Sequence, residues 1–253
     1  MIRRLRIEWP DQRPFVERDG RPIRFLAASD EPDPALEHAA NRAQLGTLDG
    51  VIGCGDLEPD WLAFLADAFH VPLVYVRGNH DRGGNWEEAH LTAPRPLRTG
   101  RITTLAGIPI AGLEWPGVQQ PGNSRHPMAA WRDAFGIAGR ALAARLSGRE
   151  RSVLVISHAP PVGAGDAPAD PYHAGFPAYR WLLDRLAPPL WLHGHTTTAT
   201  VPNLLVHSGP TTLVNVTGAV LLEIIPPGTN GTDGTGVTER TTDAATTDAT
   251  TAG

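Results

Sequence analysis

Short apolar runs that end in polar residues recur along the chain. Each run is bounded by glycine, proline or another turn-forming residue, which is typical of a strand buried on both faces. The clearest example is residues 74–81, where V-Y-V-R-G-N-H-D places Asn79, His80 and Asp81 after a glycine. Similar runs end at further residues with metal-binding chemistry, namely Asp30, Asp56, His158, His193 and His195. The pattern predicts five buried strands that carry Asp, Asn and His side chains at their carboxyl ends.

The spacing of apolar residues also predicts helices. Asp33 followed by Pro34 resembles an N-cap with proline in the first turn, so we expect a helix from there to about Leu45. A second helix is expected over Asp60–Phe69. A stripe at helical spacing predicts a third helix with its apolar face in the core; its members are Trp131, Phe135, Ala138, Leu142 and Leu146.

Further strands are expected on both sides of these helices. Leu5, Ile7 and Trp9 alternate with polar residues, which indicates an edge strand. Other predicted strands are residues 72–76, 102–105 and 109–113, then a closing β-meander at 197–201, 204–207, 211–216 and 219–225. Strands that alternate with helices and then give way to a β-rich end predict an α/β fold with two packed sheets flanked by helices.

Composition limits the alternatives. The 253 residues are 41% hydrophobic, which suits one domain over residues 1–225, and the Thr-, Gly-, Ala- and Asp-rich residues 226–253 are expected to be disordered. No stretch is apolar enough for a membrane helix, and the start of the chain lacks a secretory signal. The single cysteine, Cys54, is expected to be buried, which fits a reducing cytoplasm. Net charge is −5 and basic residues form no block, so no long nucleic-acid partner is expected.

If the predicted strands share one sheet edge, the polar residues at their ends form a cluster. Their carboxylate, amide and imidazole groups would suit two hard or borderline divalent cations. The order of these residues resembles that of the calcineurin-like metallophosphoesterases, whose blocks are D-x-H, G-D-x-x-[DE], G-N-H-[DE], H and G-H-x-H. The resemblance covers roughly residues 23–223, and it implies a four-layer αββα sandwich of two mixed β-sheets flanked by helices.

One block departs from the family pattern. Asp30 is followed by Glu31 and Pro32, where the family has a histidine two residues after the aspartate. Proline carries no ligating group, so one metal position lacks an imidazole. Glu31 and Asp33 are the candidates to replace it, although capping of the following helix is the stronger role for Asp33.

The resemblance implies a role for each remaining block. Asp56 would bridge two cations, preferably Mn²⁺, with Fe or Zn as alternatives and with one of the two sites weakly held. Asp30 and His195 would complete one site, and Asn79, His158 and His193 the other. His80 would donate a hydrogen bond or proton to the leaving oxygen, with Asp81 fixing its tautomer, while a metal-bound hydroxide attacks phosphorus.

The residues around the blocks are open to more than one interpretation. Arg77 is a candidate for substrate contact, with support of the metal loop as the alternative. His173, in the Pro- and Gly-rich loop after His158, is expected to contact substrate or to assist the metals, unless it is a surface histidine. The expected function is hydrolysis of a small, nucleotide-like phosphodiester or of a phosphomonoester. The alternative is a non-catalytic protein-interaction scaffold on the same fold.

Overall fold

The computed structural model describes residues 2–81, 95–117, 126–197, 199–201 and 203–229, and the backbone of 237–240. In chain order the strands are β1 Arg3–Glu8, β2 Ile23–Ser29, β3 Gly50–Gly53, β4 Leu73–Tyr75, β5 Ile102–Leu105, β6 Ile108–Leu113, β7 Leu154–Ser157, β8 Leu190–His193, β9 Leu205–Ser208, β10 Thr211–Asn215, β11 Gly218–Ile225 and β12 Val237–Arg240. They form two six-stranded sheets with the orders β12-β1-β11-β2-β3-β4 and β5-β6-β7-β8-β10-β9.

The described helices are α1 Ala39–Gln44, α2 Pro59–Phe69, α3 Pro127–Leu146 and α4 Pro177–Leu186, with short 3-10 helices at Arg13–Arg18 and Pro34–Glu37. In the described part of the chain, none of the helices has the length and apolar character needed to cross a membrane. The single helix expected from Asp33 to Leu45 is divided at His38, whose backbone is extended. Arg42 explains the division, because its guanidinium donates to the carbonyls of Leu36 and Glu37 that a continuous helix would use.

Three buried clusters divide the protein into four layers. The central cluster joins side chains of the first sheet, such as Phe25, to side chains of the second, such as Ile110 and Leu154. One outer cluster packs α2 on the first sheet, and the other packs α3 and α4 on the second. Both sheets contain parallel and antiparallel pairs. The predicted αββα sandwich of two mixed sheets is confirmed.

The site lies where parallel strands of both sheets end. β2, β3 and β4 run parallel in the first sheet, and β6, β7, β8 and β10 run parallel in the second. His158 follows β7 and Asp56 follows β3, and their side chains are 3.2 Å apart (Nε2 to Oδ2). The carboxyl edges of the two sheets therefore meet at one place.

The two ends of the chain differ from the expected arrangement. β1 is not an edge strand among the described residues, because it pairs with β11 on one side and with β12 on the other. β12 lies in the segment that was expected to be disordered. The free backbone groups along β1 provide a template for such a strand. The rest of that prediction concerns residues 230–236 and 241–253, which lie outside the described part of the chain.

The predicted closing meander is wrong. β9 and β10 are an antiparallel pair in the second sheet, but β11 crosses to the first sheet and lies between β1 and β2. The described residues of 197–201 form a turn instead of a strand, with Val201 N–H donating to Thr197 C=O at 2.9 Å. Alternation of apolar residues identifies strands, but it does not say which of two sheets a strand joins.

Only part of the apolar stripe on α3 packs on the core as predicted. Trp131 and Ala138 are partly buried against the outer cluster, but Phe135 is 55% exposed and Leu146 is 81% exposed. The fully buried residues of the helix include Ala134 and Ile137, which lie beside the stripe. Apolar residues lie on more than one face of α3, so their periodicity alone does not identify the buried face. The large side chains of Phe135 and Leu146 are on the exposed one.

Candidate metal centre

Three ligand groups converge at the joined edges of the sheets. One ligand atom from each of Asp30, Asp56 and His158 lies within 4.8 Å of the other two. Asp30 follows β2, Asp56 follows β3 and His158 follows β7, so the three blocks come from distant parts of the sequence. The predicted convergence of these residues is present in the structure.

The imidazole of His158 is fully buried and oriented from both sides. Its Nδ1 donates to the Cys54 carbonyl at 2.9 Å. Its Nε2 lies 2.8 Å from Asn79 Oδ1 and 3.2 Å from Asp56 Oδ2. Since the backbone carbonyl fixes Nδ1 as a protonated nitrogen, Nε2 is the atom that faces the two oxygen ligands. Asn79 therefore also belongs to the cluster.

Hydrogen bonds hold the Asp30 carboxylate in place. The Ser29 hydroxyl donates to Oδ2 at 2.6 Å and the Thr217 hydroxyl donates to it at 3.1 Å. The His195 backbone N–H donates to Oδ1 and Oδ2 at 3.1 and 3.0 Å. Asp30 is thus positioned by β2, by the turn after β8 and by the segment between β10 and β11.

The Asp81 carboxylate binds the backbone of the loop and not the imidazole of His80. Its Oδ2 accepts from the backbone N–H of Asp56 at 2.8 Å and of Gly78 at 2.7 Å. Within the described residues, no hydrogen bond joins Asp81 to the His80 imidazole, which differs from the dyad implied by the resemblance. His80 is tied instead through its backbone N–H, which donates to Asp56 Oδ1 at 2.8 Å.

The backbone at the site is in an unusual conformation. Asp30, Asp56 and His195 have φ of 62°, 55° and 65°, in the left-handed region that residues other than glycine seldom adopt. Gly78 is needed for a different reason, because a Cβ there would overlap the Asp56 carboxylate and lie 2.7 Å from the Asp56 nitrogen. Such geometry is concentrated at functional sites.

The electrostatics of the cluster centre on His158. Burial alone would lower the pKa of His158, but the carboxylates of Asp56 and Asp30 outweigh it and raise the pKa to about 9. Burial would raise the pKa of Asp56, but the charge and hydrogen bond of His158 bring it below its ordinary value. Burial dominates at Asp30 and raises its pKa. A protonated imidazole therefore balances the negative charge of the cluster.

His193 and His195 lie at the same edge but have other partners. His195 Nε2 is 2.6 Å from the Tyr172 carbonyl, and its ring centroid is 4.9 Å from that of His158. His193 is buried, and its Nδ1 lies 3.0 Å from the Gly194 carbonyl. Burial, with the charge of His158, lowers the pKa of His193 to about 4 and of His195 to about 3. Both rings are therefore neutral, the form that binds metals.

A cavity of about 720 Å³ opens over the cluster. It is lined by Asp30, Glu31, Asp56, Asn79, His80, Trp115, Pro171, Tyr172, His173, His195 and Thr197. The predicted pocket residue His173 is among them. The other loop expected to shape the pocket, residues 115–127, lies largely outside the described part of the chain.

Arg77 and Asp33 have structural partners. The Arg77 guanidinium donates to Glu114 Oε2 through Nε and Nη2, at 3.1 and 2.9 Å. Arg77 does not line the cavity, so its geometry matches the supporting role and not the substrate contact. Asp33 accepts from Ala35 N–H at 2.9 Å and is a helix cap, which leaves Glu31 on the cavity wall.

The cluster fits a divalent cation. Its donors are carboxylate, amide and imidazole groups, the ligands preferred by hard and borderline metals. The two carboxylates need a nearby positive charge, which the His158 proton supplies. A cation bound to His158 Nε2 would supply this positive charge in place of the proton, which would be released.

Comparisons with known proteins found one family profile and similar solved structures. A sequence profile described as calcineurin-like phosphoesterase matches residues 48–198. No curated protein matches the sequence significantly. One solved crystal structure is similar with a TM-score of 0.54 at 16% identity, over 80% of this chain and 95% of that one. The crystal structure of TT1561 of Thermus thermophilus has a TM-score of 0.48 at 18% identity, over 78% of this chain and 90% of that one.

The structural likeness concerns the fold alone, whereas the profile covers most of the cluster. Residues 48–198 include Asp56, Asn79, His158, His193 and His195. The matched range makes up more than half of the 253-residue chain. Asp30, the remaining member of the cluster, lies before that range and follows β2. The chain belongs to the calcineurin-like phosphoesterase family.

Proposed function

We propose that the protein is a metal-dependent phosphoesterase that hydrolyses a phosphodiester, with phosphomonoesters as the second substrate class. The observation that carries the proposal is the convergence of Asp30, Asp56 and His158 within 4.8 Å, beneath an open cavity of about 720 Å³. Ligand groups at the floor of a cavity are reachable by substrate, which a purely structural metal site does not require.

The chain's own groups would hold two divalent cations. Asp56, Asn79 and His158 already face one another and would hold the first, together with His193. Asp30 and His195 would hold the second, with Asp56 shared between the two. When bound, such cations lower the pKa of a coordinated water and neutralise charge on phosphoryl oxygens. Mn²⁺ is the ion we propose, with Fe and Zn as alternatives, since oxygen and nitrogen donors without thiolate favour these ions over Cu(I) or an iron–sulfur cluster.

His80 is the residue placed to assist the leaving group. It lies on the cavity wall beside the cluster, and its backbone is fixed by the bond to Asp56 Oδ1. Its ring would donate a hydrogen bond or proton to the departing oxygen. Because Asp81 holds the loop backbone, its substitution would act by displacing Asp56 and Gly78.

The substrate we propose is small and carries an apolar or aromatic group. Both Trp115 and Tyr172 line the cavity, but Trp115 is 4% exposed and packs against Phe176 and His195, whereas Tyr172 is 81% exposed. An exposed aromatic ring beside a phosphate-binding floor suits a nucleotide-like diester, because a base can stack on Tyr172 while its phosphate reaches the cations.

Turnover of chromogenic esters tests the proposal. Metal-free protein would be reloaded with Mn²⁺, Zn²⁺ or Fe²⁺ and assayed with bis(4-nitrophenyl) phosphate and with 4-nitrophenyl phosphate. We expect hydrolysis of the diester to exceed that of the monoester, and Asp56→Asn to abolish both. We expect His80→Ala to lower kcat by about 10²- to 10⁴-fold.

His207→Ala is the matched control, since His207 is exposed on β9 and does not line the cavity. It should retain wild-type turnover. If the wild type shows no turnover with any of the metals and binds less than one ion per chain, the proposal fails. The non-catalytic scaffold would then be the better account, and the Glu31-Pro32 departure from the first motif would explain it.

A further inference from the structure

The loop between β7 and α4 is held in shape by its own aspartates. Asp166 accepts from the backbone N–H of Gly163 and of Gly175, each at 2.9 Å. Asp170 Oδ1 accepts from Tyr172 N–H at 2.9 Å, and Ala167 N–H donates to the His173 carbonyl at 3.1 Å. These bonds fix residues 170–173 at the mouth of the cavity, so side chains there are positioned before any ligand arrives.

His173 is the most closely controlled side chain of this loop. Its Nδ1 donates to Asp170 Oδ2 at 2.6 Å, and the imidazole is largely covered, with 28% of the side chain exposed. The carboxylate thereby engages Nδ1, and Nε2 is the ring nitrogen left for another partner. A carboxylate behind the imidazole is the arrangement that orients metal-binding histidines and raises their basicity.

The position of His173 associates it with one half of the cluster. Its ring centroid lies 5.2 Å from that of His195. The His195 backbone N–H in turn donates to both carboxylate oxygens of Asp30. The adjacent peptide is also engaged, since the Tyr172 carbonyl contacts His195 Nε2 at 2.6 Å. His173 therefore lies beside the Asp30 side of the site.

The donors are divided unequally between the two sides. On one side, His158 contacts both Asn79 and Asp56. On the other side, the ligands of the proposed function are Asp30, His195 and the shared Asp56, a set of three, whereas first-row cations take about four or more ligands. The segment after Asp30 adds Pro32, which cannot ligate, and Glu31, which lines the cavity but is exposed and has no side-chain hydrogen bond among the described residues.

We propose that His173, oriented by Asp170, is the fourth protein ligand of the cation on the Asp30 side. The inference rests on the metal centre of the proposed function and assigns His173 to the metal instead of the substrate. Asp170 is a positioning residue, because it acts through the His173 ring. A distant loop would thus supply the imidazole that the Asp30-Glu31-Pro32 segment lacks.

Calorimetric titration of the metal-free full-length protein with Mn²⁺ tests this assignment. We expect two binding events in the wild type. His173→Ala should weaken one of them by at least about 10- to 100-fold and leave the other unchanged. Asp170→Asn should weaken the same event by about tenfold. Glu31→Gln is the matched comparison, and it should change both affinities by less than about threefold.

Cobalt substitution provides a readout that is independent of turnover. The visible absorption of Co²⁺ responds to its ligands, so His173→Ala should alter the band of one ion, and Asp170→Asn should alter it in the same direction. Circular dichroism would be measured for each variant to establish that the fold is retained.

Three results would overturn the assignment. Unchanged Mn²⁺ affinities and Co²⁺ spectra in His173→Ala, with a raised KM, would make His173 a substrate contact. Loss of one binding event in Glu31→Gln but not in His173→Ala would give the position to Glu31. Absence of any Mn²⁺ binding by the wild type would remove the proposed function as well, and this result is distinguishable from the other two.

Discussion

At the scale of single residues, Asp56 is the point where the two halves of the site meet. Its Oδ2 faces His158 of the second sheet, and its Oδ1 accepts from His80 N–H in the neighbouring loop. The residue is in the left-handed region, with φ of 55°. Its position depends on Gly78, because the two residues lie so close together that the Asp56 carboxylate occupies the space that a Cβ of residue 78 would need.

Replacing Gly78 should therefore disable the site. In Gly78→Ala the new methyl group would collide with Asp56 Oδ1 and displace it from His158. We expect Mn²⁺ affinity to fall by about tenfold or more, measured by calorimetry. Gly139→Ala is the control, because a Cβ at this exposed position of α3 meets nothing within 4 Å. It should raise the free energy of unfolding by about 0.5–1 kcal/mol. Wild-type Mn²⁺ binding by Gly78→Ala would contradict this interpretation.

The sequence predicts the identity of the cluster better than its details. Asp30, Asp56, Asn79 and His158 could be identified because a buried strand followed by a polar turn has a clear pattern. The positive φ at Asp30 and Asp56 has no such signal, since aspartate is compatible with many turns. The partner of Asp81 could not be predicted either, because a carboxylate accepts from two backbone N–H groups as readily as it accepts from an imidazole N–H.

At the scale of secondary-structure elements, helix α3 shows how periodicity can mislead. Ile137 is fully buried, whereas Leu142 is 56% exposed although it lies on the more conspicuous apolar stripe. The aromatic part of that stripe, Trp131 and Phe135, packs with Trp181 of α4, with ring centroids 4.9–5.7 Å apart. The helix period is confirmed, but only the Trp131 and Ala138 part of the stripe packs on the core.

Substitutions on the two faces of α3 should differ strongly in their effects. Ile137→Ala would leave a cavity against the second sheet, and we expect a loss of about 2–5 kcal/mol in the free energy of unfolding. Leu142→Gln should change it by less than about 0.5 kcal/mol. Urea unfolding followed by circular dichroism measures both values. A larger loss for Leu142→Gln than for Ile137→Ala would show that the stripe is the buried face.

At the scale of the whole molecule, the two sheets are also connected at the edge away from the cluster. Asp11 follows β1 of the first sheet, and Arg151 precedes β7 of the second, with 3.9 Å between Asp11 Oδ2 and Arg151 Nε. Asp11 Oδ1 also accepts from Arg13 Nε at 2.8 Å. Burial would raise the pKa of Asp11, but the hydrogen bonds and charge of Arg13, with the charge of Arg151, bring it below its ordinary value.

Asp11→Asn should therefore lower stability in a pH-dependent manner. A carboxyl group whose pKa is depressed in the folded state stabilises the fold above the unfolded-state pKa, and this contribution is lost as the pH falls through the folded-state value. We expect a loss of about 1 kcal/mol at pH 7, because the Asp11 carboxylate accepts one charged hydrogen bond and its donor, Arg13, is half-exposed. The difference from the wild type should shrink below about pH 4. Urea unfolding at both pH values measures it, and a difference that grows on acidification would refute the assigned charge state.

The central claim is that residues from both sheets form one metal centre around Asp56. Anomalous scattering from a crystal grown with Mn²⁺ tests this most directly, because it locates the ion without reference to activity. We predict manganese peaks in contact with Asp56, with His158 Nε2 on one side and with the Asp30 carboxylate on the other. Manganese peaks only at the surface, with His158 Nε2 still 3.2 Å from Asp56 Oδ2 and 2.8 Å from Asn79 Oδ1, would contradict it.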